Sequence, residues 1–544
     1  MRIFHLLALT VGLAIALLWL GADPLPSAEA AGSVYYACDC QLGADGNCVA
    51  GSDANSGTDP AAPWQTYARA RTAFASLSAG DEIRFCRGGA FDLGTGGARW
   101  VNASCTAGQP CVVADYTPAW ASGDEGRPIL TRPTADHAFD LANGGSALAE
   151  GGYVFRNLDL RCTGCTSGGW AFFFYNDVND VTIDSVRMDG FDIGVHLAGS
   201  NACATGDAAC NGQNDRITIR DVTITHSTSQ GILGGANTLL VEDSAFEDNG
   251  DGSILDHNIY LSHGDGITVR RNDLYRSSLD AGGSCGGTSL VGHGVMDHLL
   301  IEGNYVHEDL GKANQGCWGI SITPGYSTGE RFGDVVIRGN RVENVGNMAI
   351  GTSSCTTCTI ENNVIVQQQG FGGVGIAVPD IAPGAGDGAI ADVTIRNNSL
   401  AITTGTGIRV SAGTGHTIVS NAIRATAATG GWNCFELPLT AGSYLAIDYN
   451  LCGFGAGEWA NGFGTLPTWQ GQGWDAHSRA LDPGFASDTL LTPASAASAT
   501  VDAGHPTLSA PRDLLGNVRS APPDAGAYEW VSLDKWILLP TVLR

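Results

Sequence analysis

The sequence predicts an all-β chain wound into a single right-handed parallel β-helix with caps at both ends. Three observations predict it. A short apolar–polar unit recurs through the middle of the chain, the units stand too close together for helices to intervene, and the composition suits strands and tight turns throughout.

The repeat is the strongest of the three. The segments ITVRRNDLY (267–275), LLIEGNYVH (299–307), VVIRGNRVE (335–343), CTIENNVIV (358–366), VTIRNNSLA (393–401) and HTIVSNAIR (416–424) align on an apolar residue, two mostly polar ones and an asparagine. The asparagines are Asn272, Asn304, Asn340, Asn363, Asn398 and Asn421. Earlier copies at 153–160, 181–188, 217–224 and 239–246 keep the pattern without the asparagine. A second short strand follows each later unit, marked by Ile232, Ile259 with Leu261, Ile320 with Ile322, Ile376 with Val378, and Ile408 with Val410. Its alternation turns one face inward.

Spacing then selects the architecture. Ile219 to Val241 is 22 residues, Ile337 to Ile360 is 23, and Ile395 to Ile418 is 23. That length holds three short strands with turns and is too short for a crossover helix between parallel strands. Each unit is therefore one three-stranded coil, and coils stack about 4.8 Å apart. Stacking places like residues over like, so the asparagines are expected to form an inward ladder at one corner, with a structural role.

Composition agrees. Among 544 residues there are 76 Gly, 4 Met and only 15% charged side chains. A chain this long normally divides into several domains, but a solenoid grows lengthwise without enlarging its core. The expected organisation is an export signal at 1–31, an N-terminal cap with the first coils at 32–150, the repeat core at 151–430, closing coils at 431–530 and a tail at 531–544, whose WILLPTVLR reads as a capping strand. The signal rests on Arg2, the apolar run from Leu6 to Ala22, and the small-residue cleavage site Ala28-Glu29-Ala30. With the signal removed, no stretch is expected to span a membrane.

Sixteen cysteines in an exported chain point to disulfides. Several lie close together: Cys38, Cys40 and Cys48; Cys105 and Cys111; Cys162 and Cys165; Cys203 and Cys210; Cys355 and Cys358. The two C-x-x-C pairs are read as bridges and not as zinc ligands, because no histidine stands near them in sequence. The formal net charge of −27 argues against nucleic acid and anionic membrane surfaces as partners. The partner expected instead is an extracellular polysaccharide, met by a monomer.

The alternating I-x-x-N and G-I-x-V units resemble right-handed parallel β-helix repeat proteins of the pectate-lyase-like group, over about 151–425. GSDANSGTDPAAPWQTYARA from Gly51 is similar to the opening of many secreted members. Asp448-Tyr449-Asn450, DPGF from Asp482, VDAG from Val501 and DLLGNVRSAPPDAGAYE from Asp513 are similar to their closing region. The resemblance implies the fold and says little of chemistry. Ile254-Leu255-Asp256-His257 is similar to the pectate lyases' W-I-D-H without the tryptophan, and their R-x-P-x-x-R arginine motif is absent. Gly292-His293-Gly294 is similar to the polygalacturonases' G-H-G, without their acidic and R-I-K partners.

Loop length indicates where a site would lie. Plain coils run 13 residues from first-strand to second-strand isoleucine, as from Ile219 to Ile232 or Ile395 to Ile408. Three successive coils are longer: Val241 to Ile259 is 18, Val269 to Leu290 is 21 and Ile301 to Ile320 is 19. The additions should stack into a wall, pinned by Cys285 and Cys317, beside the second-strand face. Histidines concentrate in these coils: His257, His263, His293, His298 and His307.

Alternation turns Tyr260 and His293 outward on neighbouring coils, where a tyrosine and an imidazole can move a proton. Asp256 and His257 would orient them or hold a cation. Lys312, the only internal lysine, is a further candidate base. Trp318, Tyr326 and His263 would seat the sugar. No residue is assigned as a metal ligand and no cofactor is assigned. Calcium is the one ion left open, since Glu247-Asp248-Asn249-Gly250-Asp251-Gly252 has part of a calcium-loop pattern and reads first as a turn. The resulting expectation is a secreted carbohydrate-active protein, polysaccharide lyase-like or glycosidase-like. The alternative is a non-catalytic extracellular module that binds glycan or decorates the cell envelope.

Overall fold

The computed structural model describes residues 32–97, 99–142, 151–175, 177–199, 212–326, 329–426, 432–453 and 457–531. The expected signal at 1–31, the pair Cys203 and Cys210, and the tail from residue 532 lie outside the described residues. Among the described residues no helix is long and apolar enough to cross a membrane.

The chain is a right-handed parallel β-helix. Successive coils contribute strands to three long sheets of 14, 13 and 12 strands, and a fourth sheet of four short strands fills one corner of the middle coils. Those four coils therefore carry one strand more than the three-stranded coil expected from the spacing. In the coil that begins at Leu240, the first sheet takes Leu240–Glu242, the second Ala245–Asn249, the third His257–Leu261 and the fourth Gly264–Asp265. The turn from third to first sheet is long enough here for two residues to pair with the coil above.

Stacking is in register. Ile219, Val241, Val269, Ile301, Ile337, Ile360, Ile395, Ile418 and Ile447 pair one over the next along the first sheet. All nine are buried. Each β-branched or leucine-like residue thus covers its equivalent, and the core is a column one coil wide. The outward row of the same sheet alternates in charge, Glu242, Arg270, Glu302, Arg338, Glu361 and Arg396. Arg338 Nε lies 2.7 Å from Glu302 and Arg396 Nε 2.7 Å from Glu361. Exposed pairs add little stability each, but unlike charges on directly opposed strands favour this register over one that stacks like charges.

The asparagine ladder forms as expected and extends further. The Nδ2 of Asn272 donates to Oδ1 of Asn304 at 3.0 Å, and the same link joins Asn304 to Asn340, Asn340 to Asn363, Asn363 to Asn398, and Asn398 to Asn421, each at 3.0 Å. Asn421 continues it to Asn450 at 3.1 Å. Ser244 N donates to Asn272 Oδ1 at one end, and Asn450 N donates to Ser478 Oγ at the other. Each Oδ1 also accepts the preceding asparagine's backbone N–H, as Asn363 does from Asn340 at 2.9 Å. The residue before each ladder asparagine has a left-handed φ, including 54° at Arg271, 65° at Gly303, 64° at Gly339 and 55° at Asn362. That conformation turns the chain sharply from first to second sheet and leaves backbone groups inside the corner, which the asparagine amides satisfy.

The ends are closed differently. At the N-terminus the helix Tyr67–Phe74, capped by Thr66, buries Tyr67, Ala70 and Phe74 over the first coils. Phe74 packs on Trp100 and Tyr153. At the other end Trp459 and Trp469 direct their indole N–H groups at buried Asp475. Residues 482–531 add no further coil. They run back along the turn between the first two sheets, where Arg519 donates to Asn362 at 2.8 Å and Asn397 donates to the Asp524 carbonyl at 3.0 Å.

Both C-x-x-C pairs are disulfides, Cys162–Cys165 and Cys355–Cys358, as expected over zinc. The other bridges among the described residues are Cys38–Cys86, Cys40–Cys48, Cys105–Cys111, Cys285–Cys317 and Cys434–Cys452.

Replacing a central ladder residue tests this account. Asn363→Ala removes four hydrogen bonds, two accepted from Asn340 and two donated to Ile337 O and Asn398. It should cost roughly 2–5 kcal/mol, because the partners stay buried and unpaired. Chemical denaturation followed by circular dichroism would read the loss, and a cost below about 0.5 kcal/mol would show the ladder to be dispensable.

Candidate functional site

A cleft of about 540 Å³ opens on the outer face of the third sheet. Its floor is an outward row, Leu233, Tyr260, Val291 and Ser321, paired strand to strand. One wall is built by the additions between second-sheet and third-sheet strands. They present Ile254, Leu255, Gly316 and Trp318 to the cleft. The Cys285–Cys317 bridge ties two of them together, and Cys285 N donates to the Lys312 carbonyl at 2.7 Å.

The opposite wall was not foreseen. It comes from the segments after third-sheet strands, which supply Thr323, Gly325 and Tyr326, and then Ile381. Its signal lay in the reverse interval: Ile322 to Ile337 is 15 residues and Val378 to Ile395 is 17, against 8 from Leu261 to Val269. Counting only the forward interval reveals one wall of two.

Five of the eight sequence candidates meet in this cleft: His257, Tyr260, His293, Trp318 and Tyr326. Tyr260 Oη donates to Tyr326 Oη at 2.5 Å. The His293 ring stands 5.3 Å from the Tyr260 ring and 5.7 Å from the Tyr326 ring, both edge-on. His293 Nδ1 lies 2.5 Å from the Thr323 carbonyl, which requires a proton on Nδ1 and leaves Nε2 the basic nitrogen. His257 is held in the same way, its Nδ1 2.8 Å from the Thr288 carbonyl. Burial pushes the His257 pKa down to about 4. Burial, and then the bond to Tyr326, hold the Tyr260 hydroxyl well above its ordinary range. At neutral pH His257 is therefore a neutral imidazole and Tyr260 a proton-bearing phenol.

Three candidates lie elsewhere. Asp256 precedes the strand that carries His257 and turns the other way, accepting from Asp251 N at 3.2 Å. Burial pushes its carboxyl up to about 6. Lys312 sits exposed on the wall and donates to the Gly282 carbonyl at 3.0 Å. His263 packs beside Gly199 and pairs through Nδ1 with Ser262 Oγ at 2.8 Å. Of the remaining histidines, His298 occupies a left-handed turn and pairs with Asp265 at 2.7 Å. His307 stacks between Tyr275 and Tyr305 on the second sheet. Histidines close in sequence are distributed around the coil, so only those in the third-sheet segment share a face. The stretch 247–252 forms a strand end and a turn, with Asn249 directed inward to Asn258 at 2.9 Å.

Two carboxylates that sequence reasoning passed over support the cleft. Glu330 is fully buried and clamps the second wall, accepting from the backbone N–H of Gly294, Gly325 and Tyr326. It thereby fixes the turn after His293 and the tyrosine facing it. Asp380 lies on the outer face over Gly351, the strand partner of Ser321, and accepts from Ser321 Oγ at 2.6 Å; desolvation pushes its pKa up to about 6. Among the described residues no Lys, Arg, Asp or Glu lines the cleft itself.

No family model matches the sequence, and no curated protein matches it. Similar folds occur among solved structures. A GH136 lacto-N-biosidase from Eubacterium ramulus is 11% identical, with a TM-score of 0.41 over 77% of this chain and 67% of that one. A PL6 family alginate lyase is 15% identical, with a TM-score of 0.40 over 86% of this chain and 58% of that one. Pectate lyase Pel9A is 12% identical, with a TM-score of 0.36 over 92% of this chain and 97% of that one.

Protonation of His257 provides a test of the site's electrostatics. Its folded pKa near 4 lies below the ordinary 6.5, so the unfolded chain takes up the proton first as pH falls. Stability should then decline between about pH 6.5 and pH 4, by up to about 3 kcal/mol from this residue. His257→Gln, which keeps a donor for Thr288, should flatten that part of the stability profile. An unchanged profile would mean that His257 takes up its proton as readily in the folded protein as in the unfolded chain.

Proposed function

We propose that the protein is a secreted glycan-cleaving enzyme that works at this cleft. The observation that carries the reading is the convergence of His293, Tyr260 and Tyr326 over an outward β-helix face, with Trp318 on the adjoining wall. In this reading His293 Nε2 takes a proton from the water that attacks the anomeric carbon as the glycosidic C–O bond breaks. Tyr260 hands its phenolic proton to the departing sugar oxygen and recovers one through Tyr326. Trp318 and the apolar side chains Ile254, Leu255 and Ile381 seat the apolar faces of sugar rings. The absence of lining cations among the described residues favours a neutral sugar at the reacting position, since a uronate carboxylate would enter without a partner. Export is supported by the apolar leader with its A-x-A site and by the disulfide content.

Purified protein would be assayed against neutral glycans and uronans, with and without calcium. Reducing ends would report hydrolysis, and ultraviolet-absorbing unsaturated ends would report elimination. His293→Gln and Tyr260→Phe should each lower kcat on the cleaved glycan by about 100- to 10,000-fold with little change in binding. Full turnover by the double variant would end this assignment. Binding by the wild type without cleavage would favour the non-catalytic module.

A further inference from the structure

A second group of aromatic side chains lies on the same sheet face, three coils toward the N-terminus. On the third-sheet strand Trp170–Tyr175, the side chains of Trp170, Phe173 and Tyr175 point outward and are half-buried. His137 from the preceding coil stacks on Trp170, with centroids 4.4 Å apart and planes 12° from parallel. His196 from the following coil meets Trp170 edge-on at 4.3 Å and Phe173 at 5.5 Å. Burial lowers the pKa of both histidines, that of His196 to about 4, so the cluster is uncharged at neutral pH.

Register connects this cluster to the cleft along two rows. Trp170 pairs with Ile193, Ile193 with Gln230, and Gln230 with His257. Phe173 pairs with His196, His196 with Leu233, and Leu233 with Tyr260. Each row runs three coil steps, about 14 Å at the usual strand spacing. Leu233 already belongs to the cleft floor, and Gln230 Nε2 donates to the Leu255 carbonyl of the wall at 3.0 Å. The face between the two groups is thus continuous, with apolar and amide surface and no ionised side chain in either row.

We propose that Trp170, Phe173 and His196 form a binding platform for the same neutral glycan that enters the cleft, so that one polysaccharide chain lies along the solenoid axis over several consecutive sugar rings. This rests on the glycan reading of the cleft and specifies it: the natural substrate is a polymer long enough to span cleft and platform, while a short oligosaccharide occupies the cleft alone. Aromatic rings in an outward row pack well against the C–H surfaces of pyranoses, and the carboxylate that pairs beside Phe173, Asp140, lies at the end of its row away from the cleft. Parallel stacking repeats at a fixed step, so the platform and the reacting groups stay at a fixed separation.

Affinity electrophoresis of the full chain in native gels containing glucomannan, xylan, β-glucan or arabinogalactan tests the platform, with polygalacturonate and alginate as acidic probes. One of the neutral polymers should retard the wild type. Trp170→Ala and Phe173→Ala should each weaken that retardation by about tenfold or more, Phe173→Tyr should preserve it, and turnover of short oligosaccharides should be unchanged in all three. Circular dichroism verifies folding. If Trp170→Ala and Phe173→Ala bind as the wild type does while His293→Gln is inactive, the platform falls and the cleft reading stands. Retardation by an acidic polymer alone also overturns the platform. If the wild type neither binds nor cleaves any polymer, both readings fall.

Discussion

Everything distinctive in this molecule follows from coils that stack parallel and in register. Here each turn from first to second sheet repeats at the same place, and each repeat buries the same backbone groups. The run from Asn272 to Asn450 satisfies those groups, and every rung depends on the rung beside it. The alternating row from Glu242 to Arg396 adds a weaker preference on the outside. Register is therefore specified twice, by buried amides and by surface charge, from the coil of Val269 to that of Ile395.

That regularity makes function additive. The column needs only an inward apolar side chain at each position, so the outward row of the third sheet is free to vary. It carries Phe173, His196, Leu233, Tyr260, Val291 and Ser321 in order. Loops at either edge of that sheet lengthen without disturbing the core and rise into walls. The bridge between Cys285 and Cys317 and the buried Glu330 carboxylate then hold the two walls, one covalently and one through backbone N–H groups. Rigid floor and anchored walls are what a site needs if reacting groups are to stay in place.

Most of the fold was legible because a solenoid writes itself as a period. The I-x-x-N units, the intervals of 22 and 23 residues and the second-strand isoleucines suffice to place the three long sheets. The fourth sheet was not legible, because its two- and three-residue strands carry no hydrophobic pattern of their own. The site was half legible. Alternation oriented Tyr260 and His293 correctly, and loop length located one wall. Asp256 misled because it adjoins His257 in sequence yet leaves the strand in the opposite direction. Glu330 and Asp380 were invisible because neither a buried carboxylate clamping backbone N–H groups nor one accepting from a serine hydroxyl has a sequence pattern, and both lie in loops that follow third-sheet strands.

The register of the third sheet is the claim on which cleft, platform and proton relay all depend, and X-ray crystallography of the protein measures it directly. The account predicts Leu233, Tyr260, Val291 and Ser321 side by side on the outer face, with the Tyr260 and Tyr326 hydroxyls in hydrogen-bond contact. A slip of one residue in any of these strands would turn Tyr260 or its neighbours into the core, separate the two tyrosines and contradict the account.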